Sequence, residues 1–233
     1  MDTRLQKARS SREALFRAPA RRVILLTGLA GSGKTQLLSQ LSNLGEQAID
    51  LEQLANHSGS VFGGLGRSPQ PSHDTFERLV CDAWLAADPA ALLWIEDESP
   101  FIGSVGLSSS LVQTLRTAPA VEVRAVRHDR ITRLLQHYGA IPQSDLEAAV
   151  NKLSPRLGRP LSERAFAAIR ANHLTDAIDI LLDYYDAAYR HRIGRETRTV
   201  VTTFDPRRDD LMELVRVARL QYSPPKLQDE ALP

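Results

Sequence analysis

The chain has 233 residues, 42% of them hydrophobic and 24% charged, enough for one α/β domain with a full core. Lys and Arg number 29 against 28 Asp and Glu, a net charge of +1, so bulk electrostatics announces no nucleic-acid partner. A single cysteine, Cys81, excludes an internal disulfide and a cysteine zinc cluster.

Residues 1–20 are rich in arginine and weakly amphipathic, and they predict a lead-in helix outside the main fold. Met1-Asp2-Thr3-Arg4-Leu5-Gln6-Lys7 lacks the apolar segment of a signal peptide, and no apolar run approaches a membrane span. The expectation is a cytoplasmic protein with no membrane contact. The spacing sets no oligomeric state.

Next come an apolar run over 22–27 and then Gly28-Leu29-Ala30-Gly31-Ser32-Gly33-Lys34-Thr35, which opens into a helical pattern over 34–43. Strand, glycine-rich loop and helix are the context in which GxxxxGK[ST] wraps a polyphosphate. Gly28, Gly31, Ser32 and Gly33 turn backbone N–H groups inward, and the helix N-terminus adds partial positive charge. Lys34 brings a mobile charge to the outer phosphates, and Thr35 is placed to ligate Mg²⁺.

Gln47-Ala48-Ile49 predicts a second strand that ends in Asp50-Leu51-Glu52. If the strand runs on, period-two spacing aims both carboxylates the same way, as a Mg²⁺ or proton partner near Lys34; the alternative is that they cap and charge the first turn of a helix. A loop rich in glycine follows, in which His57, Ser60 and Phe62 are substrate-pocket candidates. A helix over 73–87 carries Cys81 at an apolar position, read as a buried hydrophobe. The strand at 91–95 then delivers Glu96-Asp97-Glu98-Ser99. Glu96 and Glu98 share a face, Asp97 points away, and Glu96 is the leading candidate to meet Mg²⁺ with Thr35.

Helices over 108–117 and 128–138 flank a strand at 121–126, and Arg127 and Arg130 on the second helix are candidate phosphate clamps. From about 140 to 195 the pattern holds helices (144–152, 161–171, 174–190) and no strand, which predicts a helical insert or lid, with Ser144 and Glu147 as a capping box. Tyr184, Tyr185 and Tyr189 read as core packing. A last strand at 197–203 and a helix over 208–220 complete a P-loop NTPase-like α/β domain, residues 21–222, whose parallel sheet is flanked by helices. Residues 223–233 read as a flexible tail.

Taken in order, these residues resemble the phosphate-loop domain of bacterial tRNA 2-selenouridine synthase. The more specific strings are Asp50-Leu51-Glu52 with Asn56-His57, Gly59-Ser60 and Phe62-Gly63, and Trp94-Ile95-Glu96 with Glu98-Ser99 and Ile102-Gly103. The resemblance implies modification of the wobble 2-thiouridine of tRNA, in which geranyl diphosphate forms an S-geranyl intermediate and selenophosphate replaces sulfur with selenium. It also implies that the loop holds geranyl diphosphate or another phosphate donor, not necessarily ATP or GTP. Two departures stand out. Residues 1–20 leave no room for the family's rhodanese-like domain, so a separate rhodanese-like protein is an implied partner, and Ser58 and Pro100 stand where the family usually has arginine. Two other classes stay open: a small-molecule or nucleoside kinase using ATP and Mg²⁺ with Asp50 as base, and a non-catalytic nucleotide-gated adaptor for RNA or a protein.

Overall fold

Alternation of apolar side chains across single strands builds the centre of the computed structural model, which describes residues 13–16, 21–194 and 198–221. The strands are β1 (Arg22–Thr27), β2 (Gln47–Ile49), β3 (Leu92–Glu96), a short antiparallel pair β4 (Phe101–Ile102) and β5 (Val105–Gly106), β6 (Ala120–Val123) and β7 (Val200–Phe204). Five of them form one parallel sheet in the order β2-β3-β1-β6-β7. The helices are α1 (Lys34–Asn43), α2 (Leu51–Ala55), α3 (His73–Ala86), α4 (Ser109–Thr117), α5 (Arg127–Tyr138), α6 (Gln143–Leu157), α7 (Arg159–Arg170), α8 (Leu174–Ile193) and α9 (Leu211–Gln221).

The two faces of the sheet bury different helices. Val23 and Leu25 of β1 join Leu93 and Ile95 of β3 in a core with Phe76, Trp84 and Leu111 of α3 and α4. Ile24 and Leu26 join Leu92 and Trp94 in a second core with Leu37, Leu41, Leu214 and Ala218 of α1 and α9. Both strands are therefore apolar at consecutive positions, over 23–26 and 92–95, as a strand covered on both sides must be. A third core, built on Leu146, Val150, Leu153, Ala165, Ile169 and Leu181, lies within α6, α7 and α8 and takes in Phe62 from the long loop. Cys81 is buried in α3 as expected.

Strands β1 and β2 and helix α1 stand where the periodicity predicts, and the other long elements shift by up to five residues at their ends. Three local readings change. The second strand stops at Ile49, and the Asp50 carboxylate caps α2 by accepting from Gln53 N at 2.7 Å, so Asp50 and Glu52 do not lie on one strand. The Ser144–Glu147 capping box is absent: Pro142 occupies the N-cap of α6, and Glu147 accepts instead from Gln143 and Arg170. The short α2 follows the alternative in which Asp50 and Glu52 cap and charge a helix, while the β4–β5 pair is absent from the sequence reading, since two residues a strand carry too little periodicity to read. Of the lead-in segment only 13–16 is described, with Phe16 packed edge-to-face on Trp84; the tail lies outside the described residues. No helix among them is long and apolar enough to cross a membrane.

Candidate phosphate-binding site

The loop between β1 and α1 sits at the carboxyl end of the sheet, where open parallel sheets hold their ligands. Gly31 has a φ of 74°, and a Cβ there would stand 2.8 Å from the Arg130 backbone oxygen, so only glycine fits on both counts. Gly33 precedes α1 with no side-chain cap and no acid in the first turn. The helix thus points bare N–H groups and the positive end of its dipole at the cavity. Lys34 Nζ donates to Gly28 O at 2.9 Å. Ser32 Oγ is buried and has no hydrogen-bond partner among the described residues.

Because β2, β3 and β1 are neighbours, the end of β3 and the segments that follow β2 and β3 bring Glu96, Glu52 and Glu98 together beside the loop. One carboxylate oxygen of each lies within 4.8 Å of the others. Burial, reinforced by the charges of Glu98 and Glu96, pushes Glu52 up to about 9. Burial lifts Glu96 to about 7 against the pull of Lys34, and raises Glu98 as well. Three carboxyls this close do not all ionise without a cation. Glu96 is 1% exposed and hydrogen-bonds with Thr35, yet its Oε1 has no partner among the described residues. An orphaned, buried carboxylate oxygen next to a threonine hydroxyl and two more carboxylates fits Mg²⁺, a hard cation that takes oxygen ligands. Asp97 also lines the cavity but stands outside this carboxylate group, paired with Arg192 at 2.8 Å and Arg198 at 2.9 Å.

A cavity of about 750 Å³ starts at Gly31, Gly33, Lys34 and Thr35, passes Glu52, Glu96, Glu98, Ser60 and Phe62, and runs into the helical insert. Its far part is apolar, lined by Leu134, Leu146, Ile169, Leu174, Ile178 and Leu181. One face of α8 lines it from Leu174 through Tyr185 to Tyr189, at helical spacing. The same helix is tied to the loop: the Tyr189 hydroxyl accepts from Gly28 N at 2.7 Å, and Asp186 receives both forks of Arg130, at 2.9 and 2.5 Å.

The predicted site residues divide cleanly. The loop residues Gly28, Gly31, Gly33, Lys34 and Thr35 line the cavity with Glu52, Ser60, Phe62, Glu96 and Glu98. Ser32, whose side chain is buried beneath the loop, and Asp50, His57, Arg127 and Arg130 do not. Asp50 is the α2 cap. The His57 ring packs on Gly63 and Gly64, and burial lowers its pKa. Arg127 is held by Asp179 and Asp183. Arg130 is buried against Asp186 and also donates to Ala30 O at 2.8 Å, so the expected phosphate clamps are both ion-paired to α8. Tyr185 and Tyr189, expected in the core, line the cavity instead. The apolar stripe of α8 was visible in the sequence as ordinary helix periodicity, which does not distinguish a packed core from a chamber wall.

Residues 21–156, more than half of the chain, match the family described as the tRNA 2-selenouridine synthase AAA domain. The tRNA 2-selenouridine synthase of Shewanella loihica is 30% identical over 81% of this chain and 58% of its own length. That of Hydrogenovibrio crunogenus is 31% identical over 73% of this chain and 53% of its own. The chain thus spans little more than half the length of the curated relatives it matches. Among solved structures it is similar to a shikimate kinase from Acinetobacter baumannii in complex with shikimate, at 15% identity and a TM-score of 0.37 over 88% of this chain and 93% of that one, too low to add to the sheet order given above. Sequence match and relatives agree: this chain belongs to the tRNA 2-selenouridine synthase AAA domain family.

Proposed function

We propose that this chain binds a prenyl diphosphate, geranyl diphosphate by the family resemblance, and transfers its hydrocarbon to the sulfur of a tRNA 2-thiouridine. The observation that supports this reading is the joining of a phosphate loop to an apolar chamber in one cavity. A diphosphate head suits the loop amides and Lys34, and a ten-carbon tail suits the walls of α5, α6, α7 and α8. Thr35, Glu96, Glu52 and Glu98 are the residues that would hold Mg²⁺, which when bound neutralises charge on the diphosphate. The tail in the chamber and the head on the loop fix the reacting carbon between them, near Ser60 and the carboxylates, and the chamber keeps water from the allylic centre.

Calorimetric titration with geranyl diphosphate, inorganic pyrophosphate, ATP and GTP, each with Mg²⁺, tests the reading. Geranyl diphosphate is expected to bind at least ~10-fold tighter than pyrophosphate, because the tail buries apolar surface. Lys34→Ala should weaken both. Ala177→Phe, which fills the chamber, should erase the advantage of the tail while leaving pyrophosphate binding in place. ATP as the tightest ligand, with no gain from the geranyl tail, would sink the proposal in favour of a kinase.

A further inference from the structure

Three arginines follow one another at every third position of α5, and the structure separates them. Arg127 and Arg130 are neutralised by carboxylates of α8. Arg133, one turn further on, has no carboxylate partner among the described residues; its recorded hydrogen bond runs from Nη1 to Gly31 O at 3.2 Å. Its guanidinium carbon lies 3.5 Å from where a Cβ on Gly33 would stand, so the plane rests over the last glycine of the phosphate loop. It lines the same cavity as Lys34 and Thr35.

The placement is fixed from two sides. Arg130 Nε donates to Ala30 O, and the absent side chain of Gly31 lets the loop pack directly on the Arg130 backbone. The first turn of α5 is thereby registered against the loop, which sets where the next turn presents Arg133. A guanidinium kept free of carboxylates, beside a lysine and an uncapped helix N-terminus, is a cation reserved for an anion.

We propose that Arg133 is a catalytic residue of this site, gripping the outer phosphate of the bound diphosphate and stabilising it as it leaves. This rests on the diphosphate reading above. In the transfer, the allylic carbon–oxygen bond breaks and its electron pair passes to the diphosphate. A sulfur–carbon bond forms, and the nucleobase loses its N3 proton to solvent. Negative charge on the diphosphate therefore grows through the step, and a planar fork already in place meets it with little reorganisation.

The test compares wild type, Arg133→Ala, Arg133→Lys and Lys34→Ala for binding of inorganic pyrophosphate and inorganic phosphate with Mg²⁺, and for diphosphate release in single turnover with a 2-thiouridine RNA. Arg133→Ala is expected to weaken pyrophosphate at least ~10-fold and phosphate much less, and to slow release by about 10²- to 10³-fold. Arg133→Lys should recover only part of either effect, because a point charge lacks the fork. The thermal midpoint of the unliganded protein should stay within about 2 °C of wild type, which separates ligand contact from a structural role. Pyrophosphate binding and release unchanged in Arg133→Ala, while Lys34→Ala loses both, would overturn the assignment alone. Failure of the wild type to bind pyrophosphate would overturn it together with the diphosphate reading.

Discussion

Glu52 shows at the scale of a residue how burial among like charges holds a proton on a carboxyl. Buried among Glu96 and Glu98, it holds its proton up to about 9, whereas an unfolded glutamate releases it near pH 4.3. The folded state therefore binds a proton that the unfolded chain has lost. The stabilising contribution is complete below the unfolded value and fades as pH rises through the folded one. Glu52→Gln, a permanently neutral stand-in, should match wild type near pH 4.5 in metal-free buffer and melt higher by at least ~2–4 °C at pH 8.5, a ~1 kcal/mol effect for a chain of this size. A midpoint gap that does not grow between those pH values would show that Glu52 is not held protonated. Arg127 and Arg130 carry the opposite lesson. Their spacing marked one helix face correctly, but the acids that neutralise them lie some 50 residues away on α8, beyond the reach of any local pattern.

At the scale of the element, α8 joins the helical insert to the phosphate loop. Its outer end closes the apolar chamber at Leu174, and its inner end meets the loop through Tyr189 and the Arg130–Asp186 pair. That pair is almost fully buried, with side chains 4% and 5% exposed. Breaking one partner leaves a buried charge uncompensated, so Asp186→Leu should cost about 3–5 kcal/mol in denaturant unfolding. The double variant Arg130→Met with Asp186→Leu should regain most of that loss, since a packed apolar pair can replace a buried ion pair. It should nonetheless bind pyrophosphate less tightly, because the Arg130 contact with Ala30 O that registers α5 on the loop is gone. Recovery of stability together with full pyrophosphate binding would mean that the pair does not position the loop.

Over the whole molecule, three acids at or just beyond the ends of two strands and a threonine from α1 converge because the strand order sets β3 between β2 and β1. Mn²⁺ or Mg²⁺ should therefore raise the melting midpoint, by about 2.7 kcal/mol of stabilisation at a hundred times the dissociation constant. The gain should be larger at pH 8 than at pH 5, as protons compete for the same carboxylates, and should shrink strongly in Glu96→Gln. An equal shift in that variant would place the cation elsewhere.

By itself the sequence determined the phosphate loop, the alternation of strands and helices, and the family. Each of these is written locally, in glycine positions, hydrophobic period and short ordered strings. Only the tertiary structure decided which charges are free. Asp50 became a cap, Arg127 and Arg130 became ion pairs, and Arg133 was left at the loop. It also decided that the apolar face of α8 lines a cavity continuous with the loop. Periodicity tells which side of a helix is apolar, but whether that side meets side chains or open space depends on how separate elements pack.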